Sequence, residues 1–164
     1  MQSINDRASH PSALSRYLPL LAWIAFISFA SSGSFSASNT SLIVGPLLHW
    51  LFPNASPETL DVVHGIVRKI AHFLEYALLG VLAARAFRGS PKAVVRRRWL
   101  VICVALIVVY ALVDEYHQSF VPSRTASIFD SLIDMAGGLT ALILILKRSR
   151  RFSRMDADQI RVNS

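Results

Sequence analysis

The chain has 164 residues, 53% of them hydrophobic and 16% charged, with a formal net charge of +7 and a mean hydropathy of +0.45. That length allows one domain, and charges gathered into blocks between apolar stretches place it in a membrane instead of among soluble folds. The single cysteine, Cys103, excludes an intrachain disulfide and a cysteine-based zinc site, and the basic runs behind the pI near 10.3 abut apolar helices, as stop-transfer and anionic-lipid contacts do, so no nucleic-acid partner is expected.

Four stretches have the length and hydrophobicity to cross about 30 Å of hydrocarbon, namely Tyr17 to Phe35, Ile66 to Phe87, Trp99 to Val113 and Ile128 to Leu146. The first, with its basic flank and small residues after Ala30, also fits a cleavable signal peptide; retention is expected. Between the first and second spans, Ser41 to Phe52 is apolar but only a dozen residues long and contains Gly45 and Pro46, which suits an interfacial or re-entrant segment. Ser56-Pro57-Glu58 reads as an N-cap, a proline at the first helical position and a first-turn acid, so the second helix starts before the membrane does. The third helix is expected to run on through Asp114 toward Gln118. The fourth opens on Ser127-Ile128-Phe129-Asp130, a capping box with Asp in place of Glu or Gln. The fold class is therefore all-α, a polytopic membrane protein of four transmembrane helices with a short interfacial or re-entrant piece after the first, and the polar residues from Arg154 onward are expected to fray.

Basic residues fix the expected orientation. Arg7, Arg16, Arg85, the loop from Arg88 to Arg98 and the tail from Lys147 to Arg161 hold 14 of the 17 basic residues on one side, the cytoplasm, with both termini. Arg68, Lys69 and Arg124 fall on the other side, together with Glu58, Asp61, Glu75, Asp114, Glu115, Asp130 and Asp134.

Charge at or within a membrane is costly and points to a functional site, with a structural ion-pair network as the competing explanation. On the second span Lys69, His72 and Tyr76 share one helical stripe and Arg68, His72 and Glu75 an overlapping one. The third ends outside with Asp114, Glu115, His117 and Gln118, so Lys69 and His72 are expected opposite Asp114 and Glu115. His72, Asp114, Glu115 and His117 are the candidates for acid-base chemistry. Lys69, Glu75, Tyr76, Gln118, Arg124, Asp130 and Asp134 are candidates for binding, Arg124 through its planar fork. The histidines and carboxylates carry no standard metal motif, so neither a metal nor a cofactor is expected. Gly137-Gly138 is read as a helix-packing seam.

Two motifs, Lys69-Ile70-Ala71-His72-Phe73-Leu74-Glu75-Tyr76 and Asp114-Glu115-Tyr116-His117-Gln118 running through Phe120, Pro122, Arg124, Asp130 and Gly137, resemble those of the VanZ-like family of small bacterial membrane proteins. The similarity covers about Leu18 to Leu146. Arg68 stands where the family commonly has an acid, Ser123 and Ala141 where it often has glycine, and Asp134 where asparagine is frequent. The resemblance implies a cytoplasmic tail at 1–16, a four-helix membrane domain at 17–146 and a basic cytoplasmic tail at 147–164, in the bacterial inner membrane. It also implies a role at the cell envelope, the family taking its name from a protein associated with teicoplanin resistance. The expected function is binding or processing of an amphipathic or lipid-linked envelope molecule at an outer-leaflet polar site. The alternative is a non-enzymatic scaffold whose charges join the helices. Membrane lipids are the expected partners.

Overall fold

A computed structural model describes residues 12–31, 45–120 and 127–162, with side chains as far as Arg151. The regular structure among them is helical: α1 (Ala13–Ala30), α2 (helical over residues 45–51), α3 (Pro57–Arg88), α4 (Ala93–Arg97), α5 (Trp99–Gln118) and α6 (Ile128–Val162). Four of these, α1, α3, α5 and α6, are long and apolar enough to cross a membrane. Large apolar side chains such as Leu21, Phe29, Leu74, Val101, Val109 and Leu144 are exposed along all four. Such a surface is stable only against lipid, and the chain is a polytopic all-α membrane protein.

Local chemistry sets the helix boundaries. Ser12 accepts from the Ser15 N–H at 3.2 Å and starts α1. This helix stops at Ala30, short of the expected Phe35, where the Ser31 N–H bonds back to the Ile27 carbonyl and a small polar run begins. The seven helical residues of α2 are too few to span; Leu48 is buried and Trp50 exposed. Ser56 caps α3 through the Thr59 N–H at 3.3 Å, with Pro57 and Glu58 in the first turn as expected. At 32 residues α3 is about 48 Å long, well beyond the hydrocarbon thickness. As expected, α5 continues through Asp114 to Gln118. Two features differ from expectation. The basic loop contains the short helix α4, and the backbone of α6 stays helical to Val162 instead of fraying from Arg154. A tail that extends an existing helix needs no new nucleation, so polar composition alone does not end it.

α3 is the central element. Pairs of contacts that advance together, Phe73 with Gly137 and Arg88 with Ser149, show that α3 and α6 run parallel. α1 and α5 run the other way, as Tyr17 with Ser90 and Trp23 with Glu75 show for α1, and Ala111 with Ser131 and Ile107 with Gly138 for α5. Glycine makes the close α3–α6 approach possible. A Cβ on Gly137 would collide with the Phe73 backbone carbonyl, and one on Gly80 would lie 2.8 Å from the Gly138 oxygen. The expected seam is present, and Gly80 is its unforeseen counterpart. Leu20, Ile27, Tyr76, Leu79, Ile107 and Leu142 fill the core. Directional bonds fasten α1 to its neighbours: Trp23 Nε1 donates to the Glu75 carbonyl at 3.0 Å, and the Tyr110 hydroxyl donates to the Ile24 carbonyl at 2.8 Å.

At one end of the bundle the basic groups converge. Arg88 donates to Ser149 at 3.0 Å and lies over the Trp99 ring, while Arg96 donates to the Ser90 carbonyl at 3.1 Å. The candidate site occupies the opposite end.

Candidate functional site

At that opposite end, the stripe of α3 that faces α6 carries His72, and α6 answers with Asp134. The His72 Nδ1 lies 3.4 Å from the Asp134 carboxylate and 3.9 Å from that of Glu75, with the side chains of His72 and Asp134 16% and 3% exposed. The 3.4 Å contact has the reach of an ion pair without the alignment of a hydrogen bond. One turn further, Tyr76 is wholly buried with Asp114 and Asp134 as acidic neighbours, and its ring lies 6.2 Å from that of Tyr110. His72 Nδ1 and one Asp134 oxygen thus face each other as a buried ion-pair contact without hydrogen-bond alignment, and the Tyr76 hydroxyl is buried with no hydrogen-bond partner among the described residues. Buried polar atoms that are unpaired or poorly aligned are expensive and uncommon, so this cluster marks a place not optimised for packing alone.

The acids of α5 have closer partners. Buried Asp114 accepts from the Gln118 side-chain amide at 2.8 Å, and that amide reaches Ser31 at the end of α1 at 3.5 Å. Glu115 accepts from the Ser127 backbone N–H and so caps α6 from a neighbouring helix. In a capping box that bond comes from the third residue of the same helix, here Asp130; Glu115 has taken the place. Ser127 in turn accepts from the Phe129 N–H at 3.3 Å. Asp130 remains a first-turn acid whose side chain faces a cleft.

The cleft has a volume of about 110 Å³ and is lined by Gly65, Arg68, Lys69 and His72 of α3 with Asp130 and Ile133 of α6. Beside it runs an apolar groove of about 280 Å³ lined by Ile66, Lys69, Ile70, Phe73 and Ile133. Lys69 and Ile133 belong to both. On a 3.6-residue helix, positions 65, 68 and 72 form one stripe and 66, 70 and 73 the next, with 69 on the border. A polar and an apolar surface thus lie side by side on α3. A separate cavity of about 390 Å³ lies between α2 and the start of α3, lined in part by His49, Asp61 and His64.

The structure joins His72, Glu75, Tyr76 and Asp134 in one cluster and places Lys69 and Asp130 in the adjoining cleft. Lys69 and His72 do not pair with Asp114 and Glu115 as expected. The carboxylate that meets His72 is Asp134, because this stripe of α3 faces α6, whereas Asp114 and Glu115 are engaged by Gln118 and Ser127. His117 is exposed on α5, and Arg124 lies outside the described residues. No group of three or more histidines, cysteines and carboxylates is arranged to hold a metal ion among the described residues. Sequence reasoning missed Ser31, Gly65 and Ile133. An isolated glycine inside a helical pattern was the available signal for Gly65. Ser31 and Ile133 carry none.

No curated protein and no solved structure matches the chain. Residues 16–149, which hold both expected motifs and nearly all of the four candidate spans, match the VanZ/LLP1 family, and the chain belongs to this family.

Proposed function

We propose that this VanZ-like protein lies in the bacterial inner membrane with both termini in the cytoplasm and binds or processes an amphipathic envelope molecule at the outer leaflet, in the cleft between α3 and α6. The observation that carries the proposal is the buried cluster of the His72–Asp134 contact and the unbonded Tyr76 hydroxyl, beside a cleft that is polar on one side and apolar on the other. Lys69, with Arg124 from the α5–α6 connection, contacts anionic groups of the ligand. His72, oriented by Asp134, is the group able to hold or move a proton there. Asp114 and Glu115 orient the site by fixing the ends of α1, α5 and α6. A molecule of this kind at the membrane surface is also where susceptibility to a lipid-bearing glycopeptide such as teicoplanin would be altered.

The structural alternative draws its support from the same two acids, since Asp114 orients the Gln118 amide that reaches Ser31 of α1 and Glu115 bonds to Ser127 at the start of α6. Mass spectrometry of lipids that co-purify with wild type and with Lys69→Ala and Arg124→Ala decides between them. A binding site predicts loss of a specific amphiphile from variants that keep wild-type thermal stability. Unchanged lipid content with collapsed stability would leave only the scaffold.

A further inference from the structure

Depth, shape and charge of the α3–α6 cleft together narrow the ligand. About 20 helical residues cross the hydrocarbon, so counting back from Arg85 at the basic end puts the far boundary near Gly65. Cleft and groove, spanning positions 65 to 73, therefore lie where a lipid changes from headgroup to chain. The polar part, at about 110 Å³, is well below the several hundred cubic ångströms of ordinary small-molecule sites and suits a compact group of a few heavy atoms. Arg68 and Lys69 supply two cations to it. Asp130 is the opposing carboxylate, and its place in the first turn of α6 sets it against the positive end of that helix. His72 faces the same cleft, with Asp134 and Glu75 as its acidic neighbours. The adjoining groove is a single file, Ile66, Ile70 and Phe73, closed by Ile133.

Gly65 is the independent observation. A Cβ placed there would meet no atom of the described residues within 4 Å, so packing among these helices does not demand glycine, although glycine costs about 1 kcal/mol relative to alanine inside a helix. What a side chain at this position would fill is the cleft itself.

We propose that cleft and groove take a phosphate monoester of a single hydrocarbon chain, with the phosphate on Arg68 and Lys69 and the chain along Ile66, Ile70 and Phe73, an assignment that rests on the amphiphile site proposed above. A phosphate monoester carries close to two negative charges at neutral pH, enough to engage both cations, whereas a phosphodiester or a carboxylate carries one.

The test uses the full chain in nonionic detergent, titrated with hexadecyl phosphate, hexadecylphosphocholine and hexadecanoate, which share a chain and differ in head. Hexadecyl phosphate should bind about tenfold or more tightly than the other two, the scale of one charge-assisted hydrogen bond. Arg68→Glu should erase that preference. Gly65→Leu should abolish binding while leaving thermal stability at or above wild type, an outcome that a purely structural role for the cleft does not give. Equal affinity for the three heads, or undiminished binding by Gly65→Leu, overturns the assignment. If Gly65→Leu and Arg68→Glu instead lose a co-purifying amphiphile that lacks a phosphate monoester, the assignment falls and the amphiphile site stands. If neither variant changes co-purifying lipid and hexadecyl phosphate does not bind, both fall.

Discussion

Glu115 shows how one side chain can have a structural role where charge alone suggests chemistry. Its carboxylate accepts from the Ser127 N–H, a donor left open at the start of α6. Glu115→Ala should therefore lower stability by about 1 kcal/mol, the worth of a helix cap, while Glu115→Gln, which keeps an acceptor, should lose less. Thermal unfolding of the two detergent-purified variants measures the difference, and equal losses would argue against the cap. His72 and Asp134 call for a different experiment. Each is the other's partner in a poorly screened setting, so replacing either leaves a buried group unpaired at about 3 kcal/mol, more than the under 1 kcal/mol typical of exposed pairs. His72→Ala with Asp134→Ala should be markedly less destabilising than the sum of the single replacements. Strict additivity would mean that the two side chains are not coupled.

Between helices, the decisive contacts are backbone to backbone. Gly137 packs on the Phe73 carbonyl, so Gly137→Leu must drive α3 and α6 apart and should cost about 3 kcal/mol or more, read as lost thermal stability and yield. α1 is fastened to the bundle by Trp23 and Tyr110, whose polar atoms bond across helices, and its removal would strip both bonds and uncover the Leu20 and Ile27 contacts. Intact mass of the membrane-purified protein should accordingly be that of the whole 18.2 kDa chain, and loss of the first thirty or so residues would refute retention of α1. Helix existence was legible in the sequence because hydropathy, Ser56-Pro57 and the run through Gln118 act within one segment. The partner of His72 was not. Spacing along α3 fixes which residues share a stripe but not which neighbour the stripe faces, and that rotation is set by Gly80, Gly137 and Gly138 acting between segments. Glu115 was misplaced for the same reason, since a local capping box was visible and a cap supplied from another helix was not.

For the whole molecule, segregation of charge is the strongest remaining source of inference. The structure brings Arg88, Arg96 and Ser149 together at one end of the bundle and the cluster around His72 and Asp134 toward the other, so the two ends differ in chemistry as well as in position. Basic residues in short loops resist translocation, so the end that holds Arg88 and Arg96 is expected on the cytoplasmic side. With four candidate spans among the described residues, both termini are expected on that side as well. Reporters fused at Lys92 and after Arg161 should both report cytoplasm, and one inserted near Ser123 should report the exterior. The same experiment bears on function, because the cleft between α3 and α6 can meet an outer-leaflet amphiphile only in this orientation. A cytoplasmic signal at Ser123 with exterior signals at the other two positions would turn the cleft toward the inner leaflet and remove the envelope molecules from its reach.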